Sequence, residues 1–362
     1  MSESAYGKAA VTLEFDRVAR LLADCAPTEG SRDLALRISP EGDPFSVKKN
    51  LRLTTEAKAF LVAKGMPGFG GIRDIGPALD RALRGASMTP RELLDAAQVL
   101  NTARRLYDAV FSDRGREETR EALTEIFSRL TPDRYLETKI TRAILSEDRI
   151  ADEASPAQAD IRRRIRQENL KIRESLQHYT GGAFGKYLQE NIVTLRNGRY
   201  VIPVKAEYKN EIRGLVHDTS ASGATLFIEP LAVVDANNEL RALQSREEHE
   251  IDRILTELSA DCAACSGALS ENYRTETELA LRFAMAELSC RMNATEPTVT
   301  EKRRLHLIKA RHPLIDKEKV VPITVELGGE YTVMVITGPN TGGKTASLKT
   351  IGLLSLMAQA GL

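Results

Sequence analysis

The chain has 362 residues, of which 42% are hydrophobic, and its 51 lysines and arginines are balanced by 51 aspartates and glutamates. At roughly 150 residues per domain, this length predicts about two to three domains, and the apolar content excludes global disorder. The zero net charge excludes a uniformly basic nucleic-acid binder but allows a local basic patch.

Neither a membrane span nor an export signal is expected. No apolar stretch approaches the roughly 18 residues of a membrane span, and the N-terminus has acids in place of an apolar signal segment. Four cysteines in such a chain predict reduced thiols and a cytoplasmic location. Cys262 and Cys265 have the spacing of a redox or metal pair, but no second pair accompanies them, so packed thiols are favoured.

Residues 10–150 are predicted to be mostly helical. Apolar residues recur at helical spacing over 13–22, and a shorter helix ends at 39–40. Glycines and prolines predict a loop over 64–71. The stretch 89–92 has the features of a helix start: a threonine cap, a proline at the first position and a glutamate three residues after the cap.

Two later segments carry apolar residues with a period near 3.5. The seams are Ile161, Ile165, Ile172, Leu176 and Tyr179, and then Val233, Leu240, Ile251, Ile254 and Leu258. Matching seams predict an antiparallel coiled coil, in which one helix leaves a body and the other returns to it. Two ordinary amphipathic helices of a bundle are the alternative.

Between these helices the pattern changes to short strands. Residues 192–195 and 200–204 flank Asn197-Gly198, and because both of these residues tolerate positive φ, they predict a hairpin. Further strands are expected at 212–217 and 225–228. The sequence therefore predicts a small β unit at the tip of a two-helix stalk.

Basic charge is concentrated around this unit. Residues 161–213 hold twelve lysines and arginines but five acids, so the rest of the neutral chain carries a matching negative excess. A helical stalk with a basic, sheet-bearing tip suits an arm that wraps a phosphate backbone, whereas a solvated charged face is the alternative. The candidate nucleic-acid contacts are Arg196, Arg199, Lys205, Lys209 and Arg213.

The strongest chemical motif lies near the end of the chain. An apolar strand is predicted at 333–337 and a helix at 346–360. Between them, Gly338, Pro339, Asn340, Thr341, Gly342, Gly343, Lys344 and Thr345 match the phosphate-binding pattern G-x-x-x-x-G-K-[ST]. Glycines allow backbone N–H groups to surround phosphate oxygens at a helix N-terminus, Lys344 neutralises phosphate charge, and the Thr345 hydroxyl takes a Mg²⁺ position. The motif predicts binding of ATP with Mg²⁺.

An ATPase of this kind also needs an acidic strand end that holds Mg²⁺, downstream of the loop. Seventeen residues follow Thr345. The stretch 225–229 imitates an apolar strand ending in an acid, but it belongs to the β tip and Pro230 follows it. We therefore expect the chain to be a fragment that contains the start of an ATPase domain.

The segment GPNTGGKTASLKTIGLLSLMAQAGL, with KARHPLI before it, resembles the MutS family of ABC-type ATPases. The segments RYVIPVKAEYKNEIRGLVHDTSASGATLFIEP and LEFDRVARLLADCA resemble its MutS-two branch, the bacterial paralogue without the mismatch-reading domain. The resemblance covers nearly the whole chain. It implies a mainly α, multidomain fold with a coiled-coil clamp and a small antiparallel β tip, followed by the first strands and P-loop helix of an α/β ABC-type ATPase domain.

The implied domains follow the order of the chain. They are a helical core or lever at 1–155, a clamp at 156–262 with its tip at about 191–229, a returning lever helix at 263–295 and an incomplete ATPase domain at 296–362. In the family, an ATPase is followed by a Smr-type endonuclease. Because the acidic strand, the signature loop and the nuclease are expected to be missing here, no enzymatic activity is assigned from the sequence.

The resemblance also implies a homodimer whose clamps enclose double-stranded or branched DNA under the control of ATP, in suppression of recombination or in DNA repair. Two alternatives stay open: a ribosome-associated ATPase that acts on collided ribosomes and contacts rRNA, and a scaffold fragment without ATPase activity. By position in the motif, residues 338–345 would bind the triphosphate, and Lys344 and Asn340 are the candidate catalytic residues. Val320 or Val321 lies where relatives pack against adenine, and Arg311-His312-Pro313 is interpreted as structural.

Overall fold

The computed structural model describes residues 3–112, 121–338 and 343–362. About 58% of the chain is helical. The helices are α1 (Glu3–Thr12), α2 (Phe15–Ala23), α3 (Glu29–Leu36), α4 (Pro44–Lys64), α5 (Gly76–Leu83), α6 (Pro90–Phe111), α7 (Glu121–Phe127), α8 (Arg134–Ala143), α9 (Pro156–Gly181), α10 (Leu231–Ala264), α11 (Ser266–Met292) and α12 (Lys344–Gln359). The strands are β1 (Ile144–Ser146), β2 (Arg149–Ile150), β3 (Thr194–Arg196), β4 (Arg199–Lys205), β5 (Gly214–Thr219), β6 (Thr225–Pro230), β7 (Leu305–Ala310) and β8 (Ile323–Leu327).

Side chains at the helix starts satisfy backbone N–H groups that have no partner within the helix. Thr89 and Glu92 bond reciprocally: the Glu92 N–H donates to the Thr89 hydroxyl at 3.3 Å, and the Thr89 N–H donates to the Glu92 carboxylate at 3.0 Å. The predicted capping box at the start of α6 is thus confirmed. At the start of α4, Asp43 accepts the N–H of Ser46 at 2.9 Å, a cap that the sequence pattern had not indicated.

The chain divides into two compact units. The first, called the first unit below, comprises Met1–Leu83, Asp95–Thr138 and Cys262–Leu362, and the second unit comprises Arg84–Leu94 and Lys139–Asp261. Because α6 and α10 each contribute to both, the boundary does not follow the ends of the helices.

The core of the first unit surrounds α11. The Phe283 ring of α11 lies 5.4 Å from Phe60 of α4 and 5.8 Å from Phe69, and Phe60 stacks on Phe127 of α7 at 6.1 Å. All four rings are buried. Since α11 also contacts α2 and α3, helices from distant parts of the sequence share one core.

In the second unit, α9 and α10 run antiparallel. Ser155, just before α9, donates to Glu250 at 2.6 Å, whereas Arg164, further along α9, donates to Glu239 at 2.6 Å, so later residues of α9 meet earlier residues of α10. Lys139 bonds to both Glu257 and Asp261 at 2.7 Å, which joins the start of this unit's long segment to its end. The coiled-coil interpretation of the helix pair stays a prediction.

Part of the seam of the helix pair shares one apolar core with the small sheet. Its buried members are Ile172, Leu176, Leu188, Ile202, Val204, Ile212, Ile228, Val233 and Leu240. The sheet is antiparallel with strand order β3-β4-β6-β5. Asn197 and Gly198 join β3 to β4 with φ of 51° and 74°, which confirms the predicted hairpin because a tight turn with two positive φ values matches the strand twist.

The strand predicted at 333–337 is wrong. The described residues 331–338 form no strand, and Val333 and Val335 are 76% and 78% exposed. A strand requires a neighbour for its backbone hydrogen bonds, and in the described part of the chain β7 and β8 pair only with each other. The described residues therefore do not show an ABC-type ATPase domain around α12.

Within the described ranges, none of the helices combines the length and apolar content that a membrane crossing requires. Cys262 is buried in α10, and Cys265 lies half-buried between α10 and α11.

Candidate nucleotide and nucleic-acid sites

The loop before α12 carries the candidate nucleotide site. Gly338 has φ +142° and Gly343 has φ +78°, conformations that favour glycine, and a Cβ at either position would meet nothing within 4 Å. Lys344 starts α12, and its Nζ donates to the Gly338 carbonyl at 2.6 Å, so the lysine contacts the first residue of the motif. The other predicted loop residues, Pro339, Asn340, Thr341 and Gly342, lie outside the described residues.

The first turn of α12 contains the candidate Mg²⁺ ligand Thr345, which is exposed. The Ser347 N–H donates to the Gly343 carbonyl at 2.9 Å, the hydrogen bond that begins the helix. The positive end of the helix dipole favours phosphate here. Among the described residues, no three His, Cys, Asp or Glu side chains are grouped to hold a metal. The Thr345 hydroxyl fits Mg²⁺ that arrives with a nucleotide, because Mg²⁺ takes oxygen ligands and substrate phosphates supply others.

The other residues carried over from the family lie in the segment between β7 and β8. Val321 is 77% exposed, so its side chain is accessible to a base. His312 is buried, and its Nδ1 accepts the Leu314 N–H at 3.3 Å. Burial lowers the pKa of His312, which keeps the ring neutral near pH 7 and supports its interpretation as a structural residue.

On α9 the predicted basic charge is largely compensated by acids. Arg162 contacts Asp152 and Glu247, both at 2.6 Å, and Arg166 contacts Asp152 at 2.8 Å. Both acids lie outside the stretch 161–213 and so do not enter its charge balance. The positive excess counted along the sequence is therefore partly neutralised in the folded structure by acids from other segments.

Arg199 has an internal partner. Its guanidinium donates to both carboxylate oxygens of Glu229, at 2.8 and 3.0 Å, and the Glu229 side chain is 0% exposed whereas that of Arg199 is 16% exposed. Asn237 donates to the same carboxylate at 2.7 Å, and His217 contacts it as well. A buried carboxylate requires such donors, so this cluster, which we call the Glu229 network, explains why Arg199 is placed here.

The remaining candidate cations lie at the tip. Lys209 and Arg213 are exposed, and together with Lys186 and Lys205 they make no ion pair among the described residues. Arg196 differs from these four, because its guanidinium stacks 4.3 Å from the ring centroid of Phe227 and lies 3.6 Å from Asp218. We call the four lysine and arginine residues without an ion pair the tip cations.

Aromatic rings lie next to the tip cations. The Lys186 amine lies 4.8 Å from the Tyr187 ring and the Lys205 amine 5.9 Å from the Tyr208 ring, and the two tyrosine rings are 5.1 Å apart. The chain is poor in aromatic residues, at 5%, so composition gave no sign of this cluster. The described ring contacts join His178, Tyr179, Phe184, Tyr187 and Tyr208.

Comparison with known proteins gives a consistent result. Over 351 residues, 97% of this chain, the sequence is 43% identical to a protein named Endonuclease MutS2 from Acetivibrio thermocellus and 44% identical to one of the same name from Ruminiclostridium cellulolyticum. The chain is a relative of the MutS2 proteins. A third protein with that name, from Clostridium acetobutylicum, is 41% identical over 350 residues. No family model matches the chain.

These comparisons confirm the resemblance to the MutS-two branch. The chain spans about 44% of the length of each of these curated relatives. The activity, substrates and partners of a whole MutS2 protein are therefore proposals for this chain.

Proposed function

We propose that this chain forms the clamp and the nucleotide-binding start of a MutS2-type protein, which binds double-stranded or branched DNA under the control of ATP in recombination suppression or DNA repair. The observation that carries the proposal is the P-loop sequence at 338–345, with Gly338, Gly343 and Lys344 placed around the N-terminus of α12. The 97% coverage by MutS2 relatives supports it.

In the nucleotide site, the backbone N–H groups of the loop bind the phosphates. The Lys344 amine exchanges its Gly338 carbonyl for phosphate oxygens, and Asn340 places the γ-phosphate or a water. The Thr345 hydroxyl holds Mg²⁺, which supplies positive charge at the β- and γ-phosphates. Val321 contacts adenine.

In the second unit, the tip cations bind the DNA backbone, because lysine and arginine without carboxylate partners gain most from contact with phosphate. Two copies of the chain bring two clamps around one duplex. ATP favours one of two clamp states of this dimer, so its effect on DNA is a coupling between two binding sites, with no chemical step on the DNA.

Two titrations test the proposal. In the first, fluorescent ATP with Mg²⁺ is added to the protein and to Lys344→Ala, with the exposed Lys302→Ala as matched control. We expect binding to the wild type and the control and none to Lys344→Ala. Absence of binding to the wild type, or equal binding to all three, contradicts the nucleotide site.

In the second titration, labelled duplex and branched DNA are added with and without ATP, and purified ribosomes are the competitor. We expect the DNA affinity to change with ATP in the wild type and to be insensitive to ATP in Lys344→Ala. Displacement of DNA by equimolar ribosomes would instead favour the ribosome-associated alternative, and no binding to either would favour a scaffold.

A further inference from the structure

The helix that carries the P-loop lysine is packed against the N-terminal helices. Leu353 and Met357 of α12 are buried in one cluster with Phe15 and Val18 of α2. Gly352 allows α12 to approach closely, since a Cβ there would lie 2.8 Å from Leu13. The phosphate motif does not require these contacts, because it ends with the first turn of the helix.

An ion pair lies beside this apolar contact. The Glu14 carboxylate accepts the Lys349 amine of α12 at 2.7 Å and the Arg17 guanidinium at 3.0 Å. Glu14 has φ +59°, a left-handed conformation that is uncommon outside glycine, so the chain bends just before α2 to present this side chain. Hydrogen bonds from Lys349 and Arg17 lower the pKa of Glu14, which keeps it ionised at neutral pH.

The far end of α12 is fixed as well. The Thr54 hydroxyl of α4 donates to the Gly361 carbonyl at 2.6 Å, and the Glu41 N–H donates to the Gln359 carbonyl at 3.0 Å. Gly361 has φ +81°, and a Cβ there would lie 2.7 Å from the Cβ of Asn50. These contacts join the end of the helix to α4 and to the segment before it.

An α-helix of this length behaves as a rod, at about 1.5 Å per residue. With one end anchored at α4, the position of the other end, where Lys344 and Thr345 meet the phosphates, depends on the contact between α12 and residues 13–18. We infer that residues 13–18, called the N-terminal brace, position the P-loop helix, and that Glu14 is a positioning residue for nucleotide binding through Lys349. The inference rests on the proposed function, and by linkage a bound nucleotide stabilises the brace in return.

The test is a double-mutant cycle on the full chain, read by titration with fluorescent ATP and Mg²⁺. Glu14→Lys and Lys349→Glu each reverse one charge, and the combined variant restores an ion pair with exchanged signs. Because a partly exposed pair has a modest effect, we expect each single variant to bind about twofold to fivefold more weakly and the combined variant to recover most of the loss. Asp160→Lys is the matched control, since Asp160 is a half-exposed acid that pairs with Arg163 within α9, outside the brace.

A second readout separates positioning from general stability. Hydrogen exchange of the brace amides is measured with and without nucleotide in the wild type and in Lys344→Ala. We expect nucleotide to slow exchange at 13–18 in the wild type and to leave it unchanged in Lys344→Ala. This measurement needs no substitution at Glu14 or Lys349, so it tests whether the brace responds to nucleotide even if one of those variants unfolds.

The two failures are distinguishable. If the wild type binds nucleotide but the cycle shows no coupling and the brace amides do not respond, the inference is overturned while the proposed function stands. If the wild type binds no nucleotide, the nucleotide site of the proposed function fails and the inference fails with it.

Discussion

The loop before α12 and the β tip are both proposed to meet phosphate, but they are built in opposite ways. In the loop, the proposed contacts come from eight consecutive residues of one motif, and most of them are expected from the backbone. At the tip, the cations come from separate strands and loops around a sheet with a core of its own. Lys205 pairs with Thr225, and Gly214, next to Arg213, pairs with Pro230, so these two cations lie at opposite ends of β6. The comparison shows that a phosphate-binding loop can be predicted from consecutive residues. A cationic surface depends on which lysines and arginines are left without an acidic partner after folding.

The largest expected effect is at the Glu229 network. Glu229→Ala leaves Arg199 and its buried neighbours without their shared carboxylate, which we expect to lower the free energy of unfolding of the second unit by about 3–5 kcal/mol. Urea unfolding with the exposed acid variant Glu211→Ala as control measures it. Nucleotide binding by the first unit should persist, so a loss of ATP binding in a folded Glu229→Ala protein would contradict the separation of the two regions.

The first unit has a buried acid whose effect depends on pH. Burial raises the pKa of Glu276 in α11 to about 9 from 4.5, so the folded state holds a proton that the unfolded state releases. Stability is therefore fully present below about pH 4.5 and is lost as the pH rises towards 9, by up to about 1.4 kcal/mol per pH unit.

Glu276→Gln removes this dependence. We expect its stability relative to the wild type to increase between pH 5 and pH 7 by about 2–3 kcal/mol, measured by urea unfolding at each pH. The exposed Glu301→Gln is the control. Parallel pH profiles for the wild type and Glu276→Gln would show that the carboxyl is not held neutral.

A smaller effect is expected at the end of α12. Gly361→Ala places a methyl group against Asn50, and Gly65→Ala is a matched control because Gly65 has the same φ of +81° with nothing within 4 Å. The difference in unfolding free energy isolates the steric contact, and we expect Gly361→Ala to cost about 1–3 kcal/mol more. Equal losses in the two variants would mean that α12 can shift relative to α4.

The smallest expected effect concerns the tip cations. Arg213→Ala should weaken DNA binding uniformly across sequences and reduce the slope of log affinity against log salt by about 0.9, with no loss of stability. Arg164→Ala removes a paired arginine from the same unit and should leave that slope unchanged. Equal slopes for Arg213→Ala and the wild type would remove Arg213 from the DNA surface.

The features predictable from sequence were those determined by neighbouring residues. The capping box of Thr89 and Glu92 and the hairpin at Asn197-Gly198 depend on backbone preferences over four residues or fewer, and both are confirmed. The strand at 333–337 was wrong because apolar, β-branched residues favour a strand only where a partner strand is present.

The site residues show the same limit. The charge of Arg199 predicts a nucleic-acid contact. Its partner Glu229 is thirty residues away, and no local pattern indicates that the sheet places the two side by side. Glu14 and Lys349 are 335 residues apart in the chain, so their ion pair became visible only in three dimensions. Roles at the DNA or nucleotide for the individual residues of both sites stay predictions.

The ion pairs of Lys139 with Glu257 and Asp261 join two points that are far apart in the sequence. They place the entry and the exit of a segment of more than a hundred residues side by side, which is the geometry of a tolerated insertion. We expect that a stalk of different length, or a different tip, inserted between these two points would leave the positions of the ends unchanged. The segment Lys139–Asp261 therefore has the geometry of a module that begins and ends at neighbouring points.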